Sequence, residues 1–84
     1  MLAISPTSAT VASGGATQQF NCDTHDAYIT WQLSDQNGTV WGSKYLGCTI
    51  SAGGLLTTDA ETGSLNVVAL SYDGESASVP VTVT

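Results

Sequence analysis

Apolar and polar residues alternate along most of this chain with a period of two. In residues 28–34, Ile29, Trp31 and Leu33 point one way and Tyr28, Thr30, Gln32 and Ser34 the other. The same alternation runs through Gln18, Phe20 and Cys22, through Cys48 and Ile50, and through Leu65, Val67 and Ala69. It reaches the last residues in Ala77, Val79, Val81 and Val83. Successive side chains of a strand face opposite ways, so this is strand patterning. No helical period survives in any sizeable window. Ser5-Pro6 stops a first strand at residues 2–4, and Thr10-Val11 resumes it after a kink. Ser13-Gly14-Gly15 is a turn. Asn37-Gly38, Gly53-Gly54 and Asp73-Gly74 read as hairpin turns, because such pairs accept the positive φ angles that a two-residue connection needs.

Seven or eight short antiparallel strands, with turns roughly every 8–12 residues, predict an all-β domain. One sheet cannot hide its own apolar face, so two sheets must meet across a core as a β-sandwich. The inward positions are Phe20, Ile29, Trp31, Leu33, Ile50, Leu65, Val67, Val79 and Val81, with Trp31 as the expected centre. Pro80 stands inside the last strand and cannot donate to a ladder, which places it at an edge or a bulge.

Composition narrows the function classes. The chain has 84 residues, one base (Lys44) and seven acids, for a net charge of −6. A length of this order supports one core and one domain, residues 1–84. Phosphate neutralisation needs clustered Lys and Arg, so nucleic acid is excluded as a partner, and anionic membrane surfaces are disfavoured for the same reason. No apolar run approaches a membrane span, and no signal-peptide pattern opens the chain. Charged residues are only 10 %. A surface of Ser, Thr, Gly, Asn and Gln suits an external β-domain, and the chain reads as a module cut from a larger protein.

Candidate chemistry is sparse. Cys22 and Cys48 both take inward positions. They read either as two buried thiols or as a bridge, and are expected within bridging distance in either case. Such a bridge would stabilise by about 3–4 kcal/mol. Asp23, His25 and Asp26 share an expected end of the sandwich with Asp73 and Glu75. They lack the spacing of a cation loop and read as a solvated loop, so no metal or other cofactor is assigned. His25 has no nucleophile turn to serve, and no walled cleft fits in so small a sandwich, so the reading is non-enzymatic. Asn37-Gly38-Thr39 matches a glycosylation acceptor but is explained by its turn. On the long strand 65–72, Val68, Leu70 and Tyr72 face outward beside Tyr28. That predicts an apolar and aromatic interface patch unless a bulge or Tyr45-Leu46 covers it.

Several segments together resemble a known family. Thr30-Trp31 with the following turn, residues 47–57, residues 63–69 and residues 76–84 are similar to a bacterial immunoglobulin-like domain of group 2. Ile4-Ser5-Pro6 and Gln18-Gln19-Phe20 are similar too. The two cysteines depart from that pattern. The resemblance implies an immunoglobulin-like sandwich on a phage virion, as capsid or tail decoration, or on a bacterial cell surface. It implies spacing and weak adhesion, with neighbouring domains, surface polysaccharide or a host cell surface as partners. A rival reading is an accessory carbohydrate-binding module of a secreted glycanase, with Trp41, Tyr45 or Tyr72 as sugar-stacking platforms. Another is a purely structural spacer.

Overall fold

The computed structural model describes residues 3–23, 29–71 and 74–84, and no helix occurs among them. Eleven short strands form among the described residues. The first half of the chain carries β1 (Ala3–Ser5), β2 (Ala9–Val11), β3 (Thr17–Gln19), β4 (Asn21–Asp23), β5 (Ile29–Ser34) and β6 (Val40–Gly42). The second half carries β7 (Lys44–Tyr45), β8 (Cys48–Ile50), β9 (Leu55–Thr57), β10 (Gly63–Ser71) and β11 (Ser76–Val83). One layer has the order β2-β11-β10-β5-β6. The facing layer has β3-β9-β8-β7, prolonged by the pair β1-β4. This is an all-β sandwich, the class that the alternation predicts.

The strand count exceeds the expectation because two predicted strands are interrupted and the short strand β7 is added. The opening strand breaks at Ser5-Pro6. Its first half pairs with β4, and its second half crosses to the other layer. There β2 runs parallel to β11, so the sandwich is not wholly antiparallel. The second strand breaks at Phe20, whose N–H donates to the carbonyl of Gly54 at 2.9 Å instead of to a regular ladder. After Gly42 the chain leaves β5 for the other layer, so β6 and β7 are two halves of one edge ribbon. Pro80 sits one residue before the ladder with β2 begins, where β11 is an edge strand, as its missing N–H requires.

The hairpins close differently from the two-residue turns expected. Asp35 N–H donates to Thr39 O, and Gly38 N–H donates to Asp35 O. The same two bonds close residues 51–55 and residues 71–75. Each glycine of the dipeptide therefore ends a longer loop in positive φ: Gly38 at 88°, Gly54 at 86° and Gly74 at 93°. This is a turn followed by a glycine bulge, the next commonest hairpin connection. The tight connection that the pattern does not announce is Leu46-Gly47, between paired Tyr45 and Cys48, with both residues at positive φ.

The core lies between the layers. Phe20, Trp31, Leu33, Ile50, Leu65, Val67, Val79 and Val81 are buried as expected. Ile29 is half-buried and packs against the core rather than within it. Trp31 is not the centre. It keeps 8 % exposure, and its ring borders an open hollow with Ile29, Ile50 and Ser51, while Phe20, Leu33, Leu56 and Val67 are sealed. Thr58, just past the end of β9, is buried. Its hydroxyl donates to Ala12 O at 2.7 Å and accepts from Gly15 N–H, tying the 12–16 turn to the end of β9.

Cys22 and Cys48 do not form a disulfide, and the register shows why the expected proximity is wrong. The β8–β9 and β9–β3 ladders set Cys48 level with Ala16. Cys22 lies six residues farther along that strand line, roughly 20 Å away at 3.3 Å per residue. Strand β9 also stands between β8 and β3, the strand that leads into Cys22, adding about 9.6 Å across the sheet, far beyond bridging range. Burial pushes the Cys48 thiol pKa up, and the carboxylates of Glu61 and Asp59 add to the shift. Cys48 is therefore expected to resist alkylation until the protein unfolds. After mild oxidation of the folded monomer, both thiols should titrate in denaturant. Loss of both thiols without dimer formation would contradict this register.

Candidate functional site

The described residue most at odds with a packed sandwich is Trp41. Its side chain is 58 % exposed although it lies within β6. The ladder explains its display. Ser34 pairs with Val40, but the next residue, Leu33, pairs with Gly42. Trp41 is the extra residue, a bulge on the edge ribbon. Bulges bend a strand and re-aim its side chains, here toward solvent.

Two contacts hold the exposed indole in place. Its Nε1–H donates to Asp35 Oδ2 at 3.3 Å. Its ring stacks on Tyr45, with centroids 5.6 Å apart and planes 24° from parallel. Tyr45 is itself half-buried against the core, so it anchors the pair to the sandwich. The two predicted platform residues are thus brought together from the two halves of one edge ribbon. They are not side by side. One ring lies over the other, which leaves the outer face of Trp41 as the contact surface.

Asp35 organises the arm that carries Trp41. Its Oδ1 accepts the backbone N–H groups of Asn37 and Thr39, both at 2.9 Å. These donors favour the charged carboxylate, with the Thr39 amide the largest contributor and the Trp41 indole and Asn37 amide behind it. They outweigh slight desolvation and hold the Asp35 pKa below its ordinary value of 3.8. A depressed folded-state pKa stabilises the arm above the unfolded value. That support is lost as pH falls through the lowered one. Asp35→Asn keeps an acceptor for the two amides but turns Oδ2 into a donor that cannot receive the indole N–H. The expected result is a red shift of Trp41 emission with folding intact. The wild type should show the same shift only below pH 3.8. Identical spectra for the variant and the wild type at neutral pH would refute the contact.

The sequence reading did not single out Asp35. Its signal was present, because Asp before a turn hydrogen-bonds its own backbone two residues on. Of the predicted interface, Val68 is half-buried and Leu70 is 40 % exposed on the outer sheet face, so the strand register is as read. Their flanking partners are polar, Gln32 and Ser78 beside Val68 and Thr30 and Ser76 beside Leu70. The described part of the patch is a narrow strip. Tyr45-Leu46 does not cover it, since β7 belongs to the opposite layer. Tyr28 and Tyr72 lie outside the described residues, as do His25, Asp26 and Asp73. Among the described residues, no three His, Cys, Asp or Glu side chains gather around a metal-sized space.

Comparison with known proteins adds no relative to this geometry, for no family model and no curated protein matches the chain.

Proposed function

We propose that this domain is a non-enzymatic adhesion module of the bacterial group 2 immunoglobulin-like type. It is displayed on the outside of a phage particle or a bacterial cell, and it contacts surface glycans through Trp41. The observation that carries the reading is the exposed indole fixed by Asp35 and Tyr45. The side chain is pre-ordered, so little rotamer freedom remains to be lost when a ligand arrives. An aromatic face offers an apolar surface to the C–H face of a pyranose, while its polar edge is already satisfied. A single Lys or Arg in the chain is consistent with a partner that is not a phosphate polymer.

An accessory carbohydrate-binding module of a secreted glycanase would use the same pair. The stacking of one ring on the other favours weak adhesion instead. It presents one sugar-sized face rather than a row of platforms along a polysaccharide. A purely structural spacer would have no use for a fixed exposed indole.

The test is titration of the folded domain with oligosaccharides, followed by tryptophan emission and calorimetry. Trp41→Ala is expected to weaken binding about tenfold or more, which is 1.4 kcal/mol or more. The unfolding midpoint should remain near that of the wild type. Equal affinity of variant and wild type would sink the assignment of Trp41. Tight retention on insoluble plant or wall polysaccharide, with none on intact cells, would favour the glycanase accessory.

A further inference from the structure

The hairpin arm that displays Trp41 also walls a second feature. On the outer face of the five-stranded layer lies an open groove of about 430 Å³. Its lining includes Ser34, Val40, Asn66, Val68, Ser76 and Ser78. The register accounts for this set. Ser34 lies opposite both Val40 and Asn66, Val68 lies opposite Ser78, and Ser76 follows on the same face of β11. The wall is fastened at one point. Asn66 Nδ2 donates to Asp35 O at 3.2 Å, and Ser34 Oγ donates to the same carbonyl at 3.3 Å. Ser34 is only 2 % exposed although it sits on the outer face.

The chemistry of the lining is specific. The floor is apolar, built from Val68 and Val40. Around it stand the exposed Ser76 and Ser78 hydroxyls, which donate and accept, and the Asn66 carboxamide. Nδ2 gives one of its two hydrogens to Asp35, so this carboxamide offers a ligand its Oδ1 acceptor and one remaining N–H. No described residue lining the groove is ionisable, in a chain that carries seven acids and one base. Lys44, the one cationic side chain of Lys or Arg type, is on β7 in the opposite layer. The volume falls within the range of roughly 300–1,000 Å³ typical of small-molecule sites.

We infer that this groove is a subsite for an uncharged hexopyranose, reached by the same glycan that stacks on Trp41. The proposal rests on the glycan-binding reading above and narrows it to neutral sugars. A pyranose presents one C–H face to the valines and a rim of hydroxyls to the serines and Asn66. A uronic, sialic or sulfated sugar would bring a negative charge to a domain already at −6, with no cation in the groove to meet it. Val40 lines the groove and Trp41 is the next residue, so the two surfaces share one arm.

The experiment uses amide-resolved NMR and calorimetry on the folded domain. The probes are neutral gluco-, galacto- and manno-oligosaccharides, with polygalacturonate and polysialic acid fragments as acidic counterparts. Neutral oligosaccharides are expected to shift the Val68 and Ser78 amides as well as the Trp41 indole. Ser78→Glu puts a carboxylate into the groove from an exposed position and is expected to weaken their binding about tenfold. The unfolding midpoint should be unchanged. Neutral binding that depends on Trp41, with the groove amides unmoved and Ser78→Glu silent, would overturn the groove and leave the Trp41 reading standing. Absence of any saccharide binding would sink both. Preference for the acidic fragments, or displacement of the sugar by an extended peptide in the groove, would overturn the neutral-sugar assignment alone.

Discussion

Replacing Gly54 by alanine is expected to cost about 2–5 kcal/mol, from left-handed backbone strain of about 1–2 and overpacking of about 1–3. A domain of this length holds only roughly 4–13 kcal/mol in total, so a substantial unfolded fraction should appear. Gly54 sits at φ +86° at the end of the β8–β9 loop. A Cβ there would lie 2.6 Å from the carbonyl oxygen of Phe20 and 2.9 Å from Trp31 Cε2. Neither neighbour can yield cheaply. Phe20 is fully buried, and its own N–H is bonded to the Gly54 carbonyl. The indole of Trp31 is packed between the layers. Gly38 supplies the control, with φ +88° and no atom within 4 Å of the added Cβ. Gly38→Ala should therefore show the backbone strain alone. Urea midpoints for the two variants separate strain from packing. Equal losses would mean that the Phe20 carbonyl and the indole move aside without cost.

How much of this was legible in the chain depends on what each signal encodes. Alternation reports which face a residue takes, and the faces of the described strand residues Trp31, Leu33, Leu65, Val67, Val79 and Val81 were right. Alternation does not report strand order. Cys22 and Cys48 both pack toward the core, yet Cys22 pairs with Ile4 of β1 beyond the break at Phe20, and β9 separates β8 from the strand that leads there. The glycine dipeptides marked where positive φ occurs. They did not mark loop length, which is set by Asp35 and Ser51. Asp35 Oδ1 accepts the amides of Asn37 and Thr39, and Ser51 Oγ accepts those of Gly53 and Leu55. These side chains open the loop one residue earlier than the dipeptide suggests. The aromatic pair was legible as two residues, not as a unit. Trp41 and Tyr45 meet because a bulge re-aims one and the edge ribbon crosses between layers before the other, and neither event has a periodic signature.

The two tryptophans of this chain are expected to behave oppositely. Trp31→Ala removes a side chain that is 8 % exposed and leaves a void between β5 and the Gly54 turn. Large-to-small changes of this kind cost about 3–5 kcal/mol, because the cavity adds to the lost transfer energy. Collapse is difficult here, since the hollow beside Trp31 is already open and the Gly54 backbone is held by Phe20 and Ser51. Trp41→Ala removes an indole that is 58 % exposed and loses one charge-assisted hydrogen bond at the surface. Its stability cost should stay under about 1 kcal/mol. Equilibrium urea unfolding of both variants, followed by circular dichroism, decides the matter. Comparable losses would mean that Trp41 works as part of the core. A small loss for Trp31→Ala together with a large one for Trp41→Ala would reverse the roles of the two residues and remove the basis for a binding surface at the edge ribbon.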